Sequence, residues 1–409
     1  MFNYNNVVLP NGIKLITIKK DTGIAAVHMA VKIGSIYEEK SEKGISHFIE
    51  HMLFKGTETR DNEKLNNELE NLGGEYNAYT DHNCTVYSAT ALCSEIEGMI
   101  SILSDMLQHS TFPEKEIIKE KEVILSEIRS SRDDLEQFSF KKINEAAYDK
   151  SPLKYETTGS EDTVKNFKRQ ELAEFYNKNY VPNNCYISIV SPYEHEFVKD
   201  LVWEHFEKWE MKPFEPKKII VENNKPVTQV TYKKNIEQST IIYLFTFHNI
   251  TKQGELALKV LNHKFGESSN SILFRELREN RGLAYDVYTH LDLTSKVKTL
   301  YIYTAVGEEN IDQAIDVINQ CIERIKNEEI VLDESTIALM KKVLNTAVAF
   351  TVEDATDIGN YVIHQLIEDE YIFQFIRDME QLEAIKKEDI YKIAVEVFNN
   401  PTIHILKNG

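Results

Sequence analysis

Apolar and polar residues alternate with period two over residues 24–33, and again through residues 75–92 (EYNAYTDHNCTVYSATAL). Such alternation predicts half-buried strands, the second stretch being long enough for a pair. Residues 7–19 predict a hairpin turning at Pro10-Asn11-Gly12. Apolar residues then recur at helical spacing over residues 45–57, up to Gly56. A second amphipathic helix is predicted over residues 62–72, closed by Gly73-Gly74, and a third over residues 95–108. From Glu114 to about Tyr148 the pattern predicts one long, highly charged helix. Strands come in runs rather than in strict βαβ alternation, which places the chain in the α+β class.

Three of the nine prolines, Pro213, Pro216 and Pro226, fall in MKPFEPKKIIVENNKP, and residues 211–226 read as an extended linker. Across it the chain repeats itself. LNNELENLGGEYNAYT (65–80) aligns without gaps on FRELRENRGLAYDVYT (274–289), matching Glu70 with Glu279, Gly73 with Gly282, Tyr76 with Tyr285 and Thr80 with Thr289. Late in each half, FKRQELAEFYNKNYVPNNCYISIV resembles IKKEDIYKIAVEVFNNPTIHIL. Two homologous domains of about 200 residues are expected, over 1–210 and 227–409. Each should be an antiparallel-rich sheet packed with helices.

Composition narrows the function classes. With 409 residues and 42% hydrophobic content, the chain can bury a large core without disulfides. Its four cysteines (Cys84, Cys93, Cys185, Cys321) form no CxxC pair and read as reduced thiols of a cytoplasmic protein. The start shows no secretory pattern, and no apolar run approaches the roughly 20 residues that span a bilayer. Neither a membrane nor a nucleic acid is an expected partner. The 47 basic and 66 acidic side chains give a net charge of −19, and phosphate binding needs clustered cations. An acid surplus lining a cavity would attract basic ligands, although it also serves solubility.

One motif carries chemistry: His47-Phe48-Ile49-Glu50-His51, within GISHFIEHMLFKGT. Positions i and i+4 of a helix share a face, so both imidazoles can bind one metal ion. Glu50 lies beside that face, where a carboxylate can take a proton from water. The order is the H-x-x-E-H of inverted zinc peptidases. Two histidines and a glutamate on an otherwise apolar helix would be costly without a partner. Two histidines leave a catalytic Zn2+ one ligand short of the common His2Glu set.

HFIEHMLFKGT resembles the active-site helix of the pitrilysin/insulinase family of zinc peptidases, especially its small bacterial, mitochondrial-processing-peptidase-like branch. The resemblance extends over nearly the whole chain, including Phe175-Tyr176 and Tyr180-x-Pro182-x-Asn184. It implies a third ligand about 75 residues downstream, and Glu127, in IIKEKEVILSEIRSS, stands 76 positions after His51. Glu122 is the competing carboxylate. Glu120 matches the family's second glutamate, which orients a ligand histidine. The resemblance further assigns Arg278 and Tyr285, in LRENRGLAY, to oxyanion or substrate stabilisation from the second half, with Gly282 ending a helix between them. Asn77, Ala78 and Tyr79 match an edge strand that pairs with the peptide main chain. In the second half the stretch matching HFIEH is LKVLN (258–262), so no ligand set is expected there. Ser151-Pro152-Leu153 and Ser191-Pro192-Tyr193-Glu194 depart from the family pattern.

The expected protein is a zinc endopeptidase or oligopeptidase, with one Zn2+ per chain on His47, His51 and Glu127 and with Glu50 as general base. The family implies an enclosed chamber of four such domains, hence a homodimer or a pair with a related subunit, acting on short unfolded peptides, basic ones included. The competing expectations are a catalytic subunit that needs a distinct partner chain and a non-catalytic peptide-binding scaffold.

Overall fold

The computed structural model describes residues 3–409. Six strands form the first sheet: β1 (Asn3–Val8), β2 (Lys14–Lys19), β3 (Ile24–Val31), β4 (Glu75–Thr80), β5 (Thr85–Leu92) and β6 (Cys185–Ser191), in the order β1-β2-β6-β3-β5-β4. Every pairing is antiparallel except the parallel β2–β6 pair. β3 (IAAVHMAV) is buried on both faces, as befits a central strand, whereas β4 is a polar edge strand.

The second sheet has β7 (Thr228–Lys233), β8 (Ser239–Thr246), β9 (Ala284–Leu293), β10 (Lys298–Val306) and β11 (Thr402–Asn408), in the order β7-β11-β8-β10-β9. Here too one pair, β7–β11, is parallel and the rest are antiparallel. Without β1, the two sheets share one topology. The offset of 209 residues that relates Leu65 to Phe274 also relates the first residues of β4 and β9, Glu75 and Ala284. The protein is thus an α+β chain built on an internal repeat.

The compact units do not follow the contiguous halves. One comprises Met1–Ser130, Tyr155–Lys218 and Ala349–Gln374; the other comprises Ser131–Lys154, Ile219–Val348 and Phe375–Gly409. Residues 209–227 carry no helix or strand, and the first unit passes to the second within them. The helix Ala355–Ile367, from the second half, packs on β3 and β6 of the first sheet, burying Ile358, Val362, Ile363 and Ile367. The helix Leu135–Ala147, from the first half, packs on β8 and β11 of the second.

This exchange corrects the long-helix expectation. Residues 114–148 form two helices, Glu114–Asp133 and Leu135–Ala147. Between them Asp134 is extended (φ −66°, ψ 121°), and its carboxylate accepts the Gln137 N–H at 2.8 Å. An aspartate in that role favours a new helix start over continuation. The apolar period runs on through the break and so conceals it. No helix among the described residues is long and apolar enough to cross a membrane.

Candidate metal centre

The helix Ile45–Leu53 buries Ile45, Phe48, Ile49, Met52 and Leu53, which fixes the opposite orientation of His47, Glu50 and His51. Its start is pinned. Gly44 has φ +93°, and a Cβ there would meet the Thr158 carbonyl oxygen at 2.6 Å. The buried Glu38 carboxyl accepts the backbone N–H of Gly44 (3.0 Å) and of Ser46 (2.8 Å), satisfying donors at the start of the helix.

The facing helix, Glu114–Asp133, is anchored by Ile117, Ile124, Leu125 and Ile128. Glu120 and Glu127, two turns apart, share one face of it. Glu127 Oε2 lies 3.8 Å from His47 Nε2 and 3.8 Å from His51 Nε2. The two imidazole centroids are 4.7 Å apart. Glu122 is exposed instead. In a tetrahedral zinc site with bonds of about 2.0–2.1 Å, adjacent ligand atoms are about 3.3 Å apart. The three donors therefore fit that ion after a small contraction. Buried His47 Nδ1 has no hydrogen-bond partner among the described residues.

Glu120 does not join this set. Its Oε2 accepts from His51 Nδ1 at 2.9 Å and its Oε1 from Lys55 Nζ at 2.9 Å. A proton on Nδ1 leaves the His51 lone pair on Nε2, the nitrogen facing Glu127. The charges follow. Burial, with His51 beside it, lowers the His47 imidazole to about 4. Burial also works to lower His51, but the Glu120 hydrogen bond and the charges of Glu127, Glu50 and Glu120 outweigh it and raise that imidazole. Burial works to raise Glu120, and His51 and Lys55 overcome it and hold the carboxyl below its ordinary value.

Glu50 is held otherwise. Thr80 Oγ1, at the end of β4, donates to Glu50 Oε2 at 2.7 Å. Burial raises the Glu50 carboxyl, helped by Glu127, against the pull of the Thr80 hydroxyl and His51. A carboxylate beside the donor set and raised in basicity is suited to proton transfer. Thr80, Lys55 and Glu38 carry no local sequence signature for these roles, since each acts through a contact made only in the folded unit.

Asn77, Ala78 and Tyr79 lie on β4, whose one partner strand is β5, so the other edge of its backbone is unpaired within the sheet. The Tyr79 hydroxyl is tied to Asn360 and His364 of the helix Ala355–Ile367. In the second unit, Arg278 belongs to a π-helical segment, Phe274–Glu279, terminated at Gly282 (φ +64°). Its Nη1 donates to the Tyr285 carbonyl oxygen at 3.1 Å, and Tyr285 is 60% exposed at the start of β9. The helix Lys252–Asn262 carries LKVLN and no ligand set; His263, after it, faces Glu267 at 3.7 Å.

Two histidines one turn apart, a glutamate facing both, and a separate carboxylate make a donor set of the inverted zinc-peptidase kind. Comparison with known proteins agrees. The family model described as Insulinase (Peptidase family M16) matches residues 14–161, and the one described as Peptidase M16 inactive domain matches residues 166–344. A Rickettsia felis protein named an uncharacterized zinc protease is 30% identical, over 98% of this chain and 96% of its own. The mitochondrial-processing peptidase subunit beta of Dictyostelium discoideum is 35% identical over 48% of this chain and 42% of its own. A Helicobacter pylori protease of known structure has the same fold, with a TM-score of 0.92 at 20% identity and both chains fully covered. The chain belongs to the insulinase family of peptidases, family M16.

Proposed function

We propose that this protein is a zinc-dependent peptidase that hydrolyses short unfolded peptides. The observation that carries the reading is the convergence of His47 Nε2, His51 Nε2 and Glu127 Oε2, with Glu50 beside them and held by Thr80 rather than by the ligand set. A zinc ion held by those three residues would supply a Lewis acid that polarises the scissile carbonyl and acidifies a water molecule. Glu50 takes the proton of the attacking water and passes it to the leaving amine. Glu120 fixes the His51 tautomer. The open edge of β4 at Asn77, Ala78 and Tyr79 binds substrate main chain by strand addition, which favours loose sequence preference. Arg278 and Tyr285 are assigned to the developing oxyanion or the substrate backbone on family resemblance. The same resemblance, with two repeats per chain, supports a homodimer enclosing its substrate, and the acidic balance suits basic peptides.

The test pairs metal content with turnover of a short quenched basic peptide in wild type and Glu50→Gln. Wild type should bind one zinc per chain at this centre and cleave. The variant should keep that zinc and lose about 10^2–10^4-fold in kcat/KM. Zinc binding by both with cleavage by neither would sink the self-sufficient peptidase and leave a subunit awaiting a partner or a peptide-binding scaffold.

A further inference from the structure

A second donor set lies in the first unit, on the other face of the same sheet. Side chains alternate along β4, so Thr80 points to Glu50 while Tyr79 points to the opposite face, where it meets the helix Ala355–Ile367. There a carboxylate oxygen of Asp81, Cys84 Sγ and a ring nitrogen of His364 all lie within 4.8 Å of one another. Asp81 and Cys84 close the β4–β5 turn, and His364 comes from the exchanged helix.

Each group is prepared for an ion. Asp81 Oδ1 accepts the backbone N–H groups of Asn83 and Cys84, both at 2.6 Å, which fixes the carboxylate and leaves Oδ2 towards Cys84 Sγ at 3.6 Å. The Tyr79 hydroxyl donates its one proton to Asn360 Oδ1 at 2.6 Å. Its 2.7 Å contact with His364 Nε2 is then made by an imidazole N–H donating to the phenol oxygen, which leaves the lone pair on Nδ1. An imidazole held through one nitrogen by an outer partner, with the other left to coordinate, is the usual state of a metal-bound histidine. A thiolate and an imidazole select zinc over magnesium or calcium, and thiolate plus carboxylate neutralise its charge.

We propose that Asp81, Cys84 and His364 form a second zinc site, completed by water, that pins the β4–β5 turn to the exchanged helix. Adjacent ligands of tetrahedral zinc sit about 3.3–3.8 Å apart, so side-chain rotation closes the set. Loading releases the Cys84 thiol proton to solvent, and Sγ and Asp81 Oδ2 both turn to the ion. The site braces the strand whose Thr80 holds Glu50, yet it stands on geometry independent of the peptidase reading.

The test uses the full chain with His47→Ala and His51→Ala, which empties the first donor set, titrated with Co2+ alone. One equivalent should bind, with a thiolate-to-cobalt charge-transfer band and release of one proton per ion. The band should vanish on adding Cys84→Ser, and affinity should fall at least tenfold on adding His364→Gln. Absence of the band, or its survival in Cys84→Ser, overturns the proposal. Should the double-histidine variant fail to fold, the intact chain decides: two zinc ions falling to one in Cys84→Ser support the site, and a single zinc with no band when cobalt replaces it refutes it. A band in this variant, together with zinc binding but no cleavage by the intact chain, would sink the reading of the first centre and leave this one standing.

Discussion

Replacing Glu120 with Gln isolates what a carboxylate behind a ligand histidine contributes. Glu120 is 5% exposed and accepts from two donors, His51 Nδ1 and Lys55 Nζ, each at 2.9 Å. Glutamine keeps the shape but has one acceptor oxygen. If that oxygen serves His51, the amide NH2 faces the Lys55 ammonium, and one contact is lost either way. Outer partners of ligand histidines are worth about 10–100-fold in metal affinity, or about 1.4–2.8 kcal/mol. The pH dependence adds a sharper signature. A proton on His51 Nε2 competes with the ion, and in wild type that imidazole is raised in spite of burial, in part by Glu120. Wild-type zinc affinity should therefore be full above the raised value and fall about tenfold per pH unit below it. In Glu120→Gln the decline starts at lower pH, so the deficit is largest at alkaline pH and narrows on acidification. Zinc competition against a chromophoric chelator across pH, with circular dichroism to verify folding, measures both effects. Unchanged affinity, or a deficit that does not vary with pH, would refute the role assigned to Glu120.

In Thr80→Val the Glu50 carboxyl loses a hydrogen bond that lowers it, so the acid limb of the kcat/KM profile should move to higher pH; an unmoved limb counts against Glu50 as the base. Burial pushes the Glu38 carboxyl from 4.5 up to about 7, against the pull of the Ser46 and Gly44 N–H groups and of Lys43. A raised acid contributes stability that is present below 4.5 and lost as pH rises through about 7, here about 3 kcal/mol at about 1.4 kcal/mol per pH unit. Thermal unfolding of Glu38→Gln should lose that slope, and an identical pH profile would rule it out. Residues 1–218 expressed alone should be insoluble or molten, because the first sheet then lacks the helix Ala355–Ile367. Its buried Ile358, Val362, Ile363, Leu366 and Ile367 are worth roughly 8–15 kcal/mol as an upper bound, as much as a whole domain's net stability. A fragment that unfolds cooperatively on its own contradicts this.

What the sequence discloses of the centre is what is local. His47 and His51 are one turn apart on one helix, and Glu120 and Glu127 are two turns apart on another, so each pair's shared face follows from helix period alone. That the two helices face each other does not follow from period, and only the family resemblance supplied it. Thr80 is silent for the same reason: its bond to Glu50 spans 30 residues and needs β4 to lie against the histidine helix. Asp81 and Cys84 are neighbours in a turn, but the contact that brings His364 to them, through Tyr79, joins residues 285 apart. The repeat register was legible because Gly73 and Gly282 both terminate a helix at positive φ before an edge strand.

The exchange of helices shows the limit of a repeat as a guide to domains. A helix period states which face is apolar and not which sheet that face will cover. With two sheets of one topology, either could accept either helix, and the connection decides. In both halves the connection is built alike. A 20-residue helix, Glu114–Asp133 or Glu334–Glu353, is followed by an extended aspartate, Asp134 or Asp354, whose carboxylate caps the next helix by accepting its first N–H groups. Each aspartate stands within a few residues of the point where the chain passes from one unit to the other. After the capped break, the following helix packs on the sheet of the other unit. The repeat thus extends to the crossing itself, and the unit that carries the histidine helix is completed by a segment from the half that carries no ligands for it.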